Sequence, residues 1–476
     1  MVSFVVALVL LLVGYIIYGR VVERVFGMDP KRQTPAMANA DGVDYVPMSW
    51  WRIFLIQFLN IAGLGPIFGA IMGVMFGPSA FLWIVFGTIF GGAVHDYVSG
   101  MMSVRSKGAS LPEIVGEQLG KNIKNFMRVF SLLLMILVGA VFVSGPAGLL
   151  ARLTPEFMDV KFWIFVVFAY YILATLLPID KLIGMIYPLF GAALLFMAVG
   201  ILYSLFRENA PIPEVFDGLA NQDPDGLPIF PMMFVSIACG AISGFHATQS
   251  PLMARCVKNE RYGRRIFYGA MVAEGIVALI WAAAASSYWG SLHGLQEFVA
   301  SLPDTANKPA EVVDVIAKGW LGNVGSVLAL LGVIAAPITS GDTALRSARL
   351  IAADFLHIEQ KSMKKRLLVS IPLFLLTYLV LQMDFDVLWR YFAWSNQTLA
   401  VFTLWAATVY LCRNHRNYWI TIVPAVFMTA VSVCYIVVAP EGLALPMIYG
   451  YISCAVVCLA LTILFFVKKK NYLLKN

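Results

Sequence analysis

The sequence predicts an all-α polytopic membrane protein of about thirteen helical spans, two of them interrupted at mid-membrane. Three observations carry that prediction. Of 476 residues, 60% are hydrophobic and only 13% charged, with a mean hydropathy of +0.81, far beyond what a water-soluble core requires. Apolar runs long enough to cross ~30 Å of hydrocarbon as helices recur along the whole chain. Lys and Arg gather in alternate connections between those runs, as they do when one set of loops faces the cytoplasm.

The spans fall at 2–19, 50–75, 80–104, 127–150, 160–177, 183–206, 231–254, 264–290, 322–352, 368–383, 386–411, 418–438 and 444–467. The first lacks a small-residue cleavage pattern and is read as a helix rather than a removable signal. The stretch from Gly19 to Ser49 is polar, with Asp29-Pro30 and Lys31-Arg32, and reads as a surface connection. The connections at 207–230 and 291–321 are too short and aperiodic to build a soluble domain. One transmembrane domain, 1–476, is therefore expected: an extra helix at 2–19, a first unit at 50–206, a second at 231–411 and two final helices within 418–467.

An outer amino terminus leaves only Arg152, Lys161, Arg207, Lys308, Lys318 and Arg390, of 34 Lys and Arg, outside. The C-terminal Lys468-Lys469-Lys470 then lies in the cytoplasm, and the expected location is the plasma membrane. A net charge of +7 reflects attraction to the anionic inner leaflet rather than nucleic-acid binding. The six cysteines, Cys239, Cys256, Cys412, Cys434, Cys454 and Cys458, have no metal-knuckle spacing. No P-loop, zinc-helix or hydrolase signature is present, so neither enzyme chemistry nor a cofactor is expected.

Span two is interrupted at Asn60-Ile61-Ala62-Gly63-Leu64-Gly65-Pro66, and span seven between Ala238 and Pro251. Irregular backbone at bilayer depth survives only against protein or a water-filled cavity. The two spans are five apart and enter from opposite sides, so spans 2–6 and 7–11 form units of opposite orientation. Interrupted helices at matching positions of inverted halves mark a secondary transporter with its site at the repeat interface; a structural kink is the alternative at each. The candidate substrate contacts are Asn60, Gly63, Gly65, Ser243, Gly244, Phe245, His246, Asn396 and Gln397, with Gln57, Thr248 and Gln249 completing the lining. Asn396 and Gln397, next to Trp394, suit an outer gate or a plain cross-link between helices. The second half of each broken helix points its N-terminus at the cavity, which favours a carboxylate.

Three carboxylates fall inside spans: Asp96, Glu274 and Asp342. Charges at that depth are costly unless paired, hydrated or neutralised. Coupling or gating is assigned to Asp96 and Glu274, with structural pairing as the alternative. Asp342 lies one turn from Thr339, where it supplies charge to a cation site or pairs with Arg346. His246 is a candidate proton relay or substrate ligand, or else a satisfied buried histidine. His95 points about 100° around the helix from Asp96, so the two need not share a face. With no third ligand at suitable spacing, no metal is assigned.

The Asn60–Gly65 stretch resembles the unwound first core helix of sodium-coupled LeuT-type transporters. In that fold the eighth core helix carries a small residue followed three and four positions later by Thr and Ser, as in Ala336-Pro337-Ile338-Thr339-Ser340 here. The resemblance implies a Na⁺ held by carbonyls of Leu59 and Ala62 and hydroxyls of Thr339 and Ser340, with Asp342 nearby. Oxygen ligands suit a hard cation. More specifically, the chain resembles the carbon starvation protein A family through Asn60–Pro66, Gly92-Ala93-Val94-His95-Asp96-Tyr97, Gly108-Ala109-Ser110-Leu111, Cys239–His246 and Trp394-Ser395-Asn396-Gln397. That family is associated with peptide uptake during nutrient limitation, and related members with proton-coupled pyruvate uptake; the long members carry a large C-terminal extension that this sequence lacks.

The resemblance implies a LeuT-type 5+5 inverted repeat with one extra N-terminal and two extra C-terminal helices. It also implies import of a peptide or pyruvate by alternating access coupled to Na⁺ or H⁺. Such substrates carry a carboxylate, and with all Lys and Arg placed in loops or at span ends, a helix N-terminus or bound cation must neutralise it. The partners are then the small substrate and the lipid bilayer. A membrane nutrient sensor or channel-like protein without coupled flux is the other reading.

Overall fold

The computed structural model describes residues 1–42, 44–176, 179–303, 307–360 and 362–473. Among them the fold is helical, with one isolated parallel bridge between Met48 and Val257. The long elements are α1 (Val2–Phe26), α2 (Trp50–Ile61), α3 (Gly65–Phe76), α4 (Ser79–Arg105), α5 (Leu111–Leu119), α6 (Lys121–Leu153), α7 (Val160–Leu176) and α8 (Ile179–Arg207). They continue with α9 (Gly244–Ala254), α10 (Glu260–Tyr288), α11 (Leu292–Ser301), α12 (Lys308–Leu356), α13 (Met363–Val380), α14 (Phe385–Arg413), α15 (Trp419–Val438) and α16 (Met447–Leu473).

Eight helices in the described residues are long and apolar enough to cross a membrane, and α2 with α3, bent by 55° at the break, make a ninth. The other segments read as spans are helical but shorter or more polar: α7, the broken stretch ending in α9, α13 and α14. The first helix does not stop at Gly19. It runs to Phe26 because Val22 and Phe26 are buried while Arg20 and Glu23 face outward or half outward, an amphipathic turn that a polarity count reads as loop.

The two broken helices occupy the centre. α2 and α3 pack on α10, α9 packs on α4 and α14, and α12 lies along α6 and against α2. α1 rests on α10, and α15 and α16 pack outside α14. Their outer faces, such as Val5, Val9 and Leu12 on α1 or Ile452, Val456 and Leu459 on α16, remain exposed. An apolar outer belt is stable only in lipid. Every residue is buried from Gln57 to Ile71 and from Ile237 to Val257. The breaks are closed off, where the sequence reading places an open cavity.

Candidate functional site

At the first break, Ala62 leaves helical geometry (φ −77°, ψ 51°), and the Gly63 N–H turns back to Ile61 O at 2.8 Å. In a continuous helix that N–H would bond Leu59 O, so the Leu59 carbonyl loses its donor. Thr339 and Ser340 replace it, their hydroxyls donating to Leu59 O at 3.0 and 3.2 Å. Both also reach Ala336 O, at 2.7 and 3.0 Å, so each proton is shared between two carbonyls. Ala62 is buried in the turn. Gly63 faces Ser340 Oγ and the Phe142 ring, at 3.1 and 2.9 Å from where a Cβ would stand. Pro66 falls in the first turn of α3, where its missing N–H costs nothing. Asn60 and Gln57 are fully buried on α2; neither amide atom of Gln57 has a protein hydrogen bond among the described residues.

The second break runs from Ile237 to Ser243, which is extended (φ −137°, ψ 121°) and precedes α9. Its freed groups find partners on other elements. Trp83 Nε1 donates to Ile237 O at 3.2 Å and Thr88 Oγ1 to Gly240 O at 3.1 Å. Asn396 Oδ1 accepts from Ser243 Oγ at 3.0 Å and from the Phe245 N–H at 2.6 Å. A Cβ on Gly244 would stand 2.4 Å from Asn396 O and 2.3 Å from Ala400 N, so only glycine permits that approach of α9 to α14. Phe245 meets Phe142 edge to face, ring centroids 6.1 Å apart. The two breaks touch: a Cβ on Gly65 would lie 2.3 Å from Cys239 Cβ.

Beside this contact runs a string of buried ionisable groups from three helices. His95 Nδ1 lies 2.8 Å from Asp96 Oδ1, Asp96 Oδ2 lies 2.9 Å from His246 Nδ1, and His246 Nε2 lies 3.3 Å from Glu274 Oε2. All four side chains are fully buried. With Asp96 ionised, geometry assigns a proton to Nδ1 of each imidazole. The string is linear, and among the described residues no group of three or more His, Cys, Asp or Glu is arranged to hold a metal ion.

Several sequence expectations change. His95 Nδ1 contacts the Asp96 carboxylate even though adjacent helical positions point about 100° apart. The Asp342 carboxylate lies 3.7 Å from Arg346 Nη2 and has no hydrogen-bond partner among the described residues. Trp394 turns outward and donates to Ser432 O on α15. Asn396 clamps the second break instead of covering it, and Gln397 Nε2 reaches Phe234 O at 3.4 Å. Thr248 Oγ1 bonds Phe245 O within α9, and Gln249 Nε2 bonds that same hydroxyl. The start of α9 is already occupied by Asn396, so the Phe245 N–H is unavailable to a carboxylate in this arrangement. Finally, Arg346 and Arg349 are not at an exposed span end; each is 1% exposed. Cys239, Thr88 and Phe142, absent from the sequence-based set, hold the breaks together through contacts that sequence spacing does not reveal.

The family model for carbon starvation protein CstA matches residues 1–156, 150–321 and 299–434. The chain belongs to that family. An uncharacterized membrane protein of Haemophilus influenzae is 46% identical over 341 residues, 61% of this chain and 92% of that protein. The Escherichia coli pyruvate/proton symporter BtsT is 30% identical over 58% of this chain, a match spanning 47% of that longer protein. The Escherichia coli peptide transporter CstA is 24% identical over 88% of this chain and 78% of its own length. Among solved structures, the Eremococcus coleocola manganese transporter in complex with an aromatic bis-isothiourea substituted compound has a TM-score of 0.56 at 12% identity, covering 91% of this chain and 99% of that one. The CstA family member described here thus shares a transporter fold, and its named relatives and structural neighbours are transporters rather than enzymes.

Proposed function

We propose that this CstA family member is a secondary active transporter importing a small carboxylate-bearing nutrient, a peptide or pyruvate, together with a proton. It works by alternating access between inverted five-helix units at 50–206 and 231–411, within thirteen spans of the LeuT-type 5+5 arrangement. Its amino terminus faces outward and its carboxyl terminus the cytoplasm. The contact of two helix breaks at Gly65 and Cys239 carries the reading, because unwound backbone from two spans meeting in the interior is how such transporters build a site. The His246–Glu274 pair supports the proton. With Nδ1 of His246 committed to Asp96, Nε2 and Glu274 Oε2 stand 3.3 Å apart with no hydrogen-bond partner among the described residues, so a coupling proton can be taken up between them. The convergence of Thr339 and Ser340 on Leu59 O favours Na⁺ as the second reading, with Ala62 completing the oxygen set.

The test is uptake into proteoliposomes under separately imposed H⁺ and Na⁺ gradients, comparing labelled pyruvate with a labelled dipeptide. A proton gradient is expected to drive accumulation of one of them. Glu274→Gln should abolish that accumulation while leaving substrate counterflow intact, since exchange needs no net proton movement. If neither gradient drives accumulation in the unaltered protein, coupled transport is wrong.

A further inference from the structure

Three arginines set into the helical bundle face carboxylates: the partly buried Arg105 and Arg128, and the buried Arg346. Arg105 bonds Glu260 through two nitrogens, at 3.0 and 2.9 Å, Arg128 bonds Glu113, and Arg346 faces Asp342. Arg349 and Arg255 differ. Arg349 is 1% exposed, its Nη1 donates to the Gln360 amide oxygen at 2.8 Å, and its Nε has no hydrogen-bond partner among the described residues. Arg255 is 7% exposed, donates from Nε to Gly108 O at 2.9 Å and lies over the Tyr45 ring. Neither has a carboxylate within ion-pair distance among the described residues. Arg346, Arg366 and Arg255 bring positive charge to the surroundings of Arg349 and Asp44 brings negative charge, while Asp354 acts on Arg255 from beyond ion-pair range. A buried guanidinium without a counter-anion is costly, and here a second cation makes the deficit larger.

Place supplies the rest. Arg255 directly follows α9, the inner half of the second broken helix, and Arg349 lies ten residues beyond Thr339 on α12, about 15 Å along the axis. The two helices are joined where Ser347 Oγ donates to Thr248 O at 3.1 Å. The backbone entering α2 bonds the same end of α9, Met48 N–H to Cys256 O at 3.1 Å. Both broken helices and α12 therefore converge on this pair of arginines.

We infer that Arg349 and Arg255 form an anion site for the carboxylate of the transported substrate, a waypoint between the helix breaks and the cytoplasmic exit. The inference rests on the transport reading above. Planar guanidinium forks match a carboxylate bidentately, and near-complete burial of Arg349 keeps lipid headgroups away. The site supplies the neutralising cation that the helix breaks do not.

The experiment is thermal-shift titration of the purified full chain with sodium pyruvate, dialanine, chloride or phosphate at equal ionic strength, without a gradient. Pyruvate or dialanine should stabilise the protein where chloride and phosphate do not. Arg349→Gln should weaken that binding at least tenfold, with Arg349→Lys in between and the effect unchanged from pH 6 to 9, because guanidinium does not titrate there. Should Arg349→Gln fail to fold, Arg255→Gln, at the less buried position, is expected to show the same tenfold loss. Unaltered affinity in either folded variant, or equal stabilisation by chloride or phosphate, overturns the site. Arginine-dependent carboxylate binding in a protein that accumulates nothing under any gradient would uphold the site and refute the transport reading instead.

Discussion

The contact between the two helix breaks can be tested by a double-mutant cycle. Gly65→Ala places a methyl carbon 2.3 Å from Cys239 Cβ and 2.4 Å from its sulfur, more than 1 Å inside the ~3.5–4.0 Å optimum for such contacts. Rotating the thiol relieves only half of the clash, because Cβ is fixed to the backbone. Overpacking of this kind costs ~1–3 kcal/mol. Cys239→Gly removes both atoms at its own cost, including ~0.5–1 kcal/mol of glycine conformational entropy. In the double variant the new methyl occupies the vacated space, so the clash disappears and the two changes are non-additive by ~1–2 kcal/mol, within the range for residues in contact. Cys239→Ala leaves Cβ in place and should not rescue Gly65→Ala. The assay is reversible denaturant unfolding in detergent, paired with proteoliposome uptake. Additivity within ~0.5 kcal/mol, or equal rescue by Cys239→Ala, would refute the reasoning that the breaks meet at this point.

Other perturbations have equally definite outcomes. Thr339→Val or Ser340→Ala alone leaves one hydroxyl on Leu59 O and should cost ~1 kcal/mol or less, whereas the double variant orphans a buried carbonyl and should lose ~1–3 kcal/mol beyond the sum; unfolding midpoints read the stability, and Na⁺ dependence of uptake reads the second coupling scheme. Glu260 is fully buried, accepting from Arg105 and from the Asp29 N–H, so Arg105→Met should destabilise by ~3–5 kcal/mol, measurable by the same unfolding. At the other end, burial alone would raise the Glu214 carboxyl, but hydrogen bonds from the terminal amine, Ser3 and Val2 outweigh it and hold the group down at about 2. Its folded value is thus below the unfolded one. The contribution, ~0.5–1 kcal/mol after solvent screening, is present above pH ~4.5 and lost as pH falls towards ~2. Protection factors at the first turn of α1, referred to intrinsic exchange rates at each pH, should fall over that window, and Glu214→Gln should flatten the profile.

Both helix breaks are legible in the sequence because glycine, proline and small polar residues inside a membrane-length apolar run leave the backbone few options. The Thr339-Ser340 pair is legible only through the resemblance to LeuT-type transporters, whose eighth core helix carries the same spacing. Asp96, Glu274 and His246 stood out as ionisable groups in apolar surroundings, but their joining through His246 was not legible: it depends on how α4, α9 and α10 pack. The His95–Asp96 contact is not legible either, because the angle between adjacent helical positions does not fix where the side-chain tips meet. Arg346 and Arg349 read as loop residues, since arginines near a span end usually snorkel to water; instead Arg346 donates to Ala174 O on α7 and Arg349 to the Gln360 side chain, both within the protein. Asn396 reads as an amide facing a ligand, and only tertiary structure reveals that it caps a helix from another element.

The hydrogen bonds that close the two breaks divide according to the proposed units, and that division predicts how the protein opens. Thr339 and Ser340, in the second unit, hold Leu59 O in the first; Trp83 and Thr88, in the first, hold Ile237 O and Gly240 O in the second. Each contributes ~0.5–1.5 kcal/mol net, so together they amount to a few kcal/mol, the size of gap that keeps an open state populated but minor. Asn396 and its partners Ser243 and Phe245 all belong to the second unit and should move together. Rocking of one unit against the other therefore breaks the first set and spares the second. Thr88→Val, which removes one inter-unit bond, is expected to raise hydrogen exchange across 237–242 several-fold while the Phe245 N–H stays protected. Loss of protection at Phe245 to the same degree would mean that the second break unravels locally, and that the units do not move as rigid bodies.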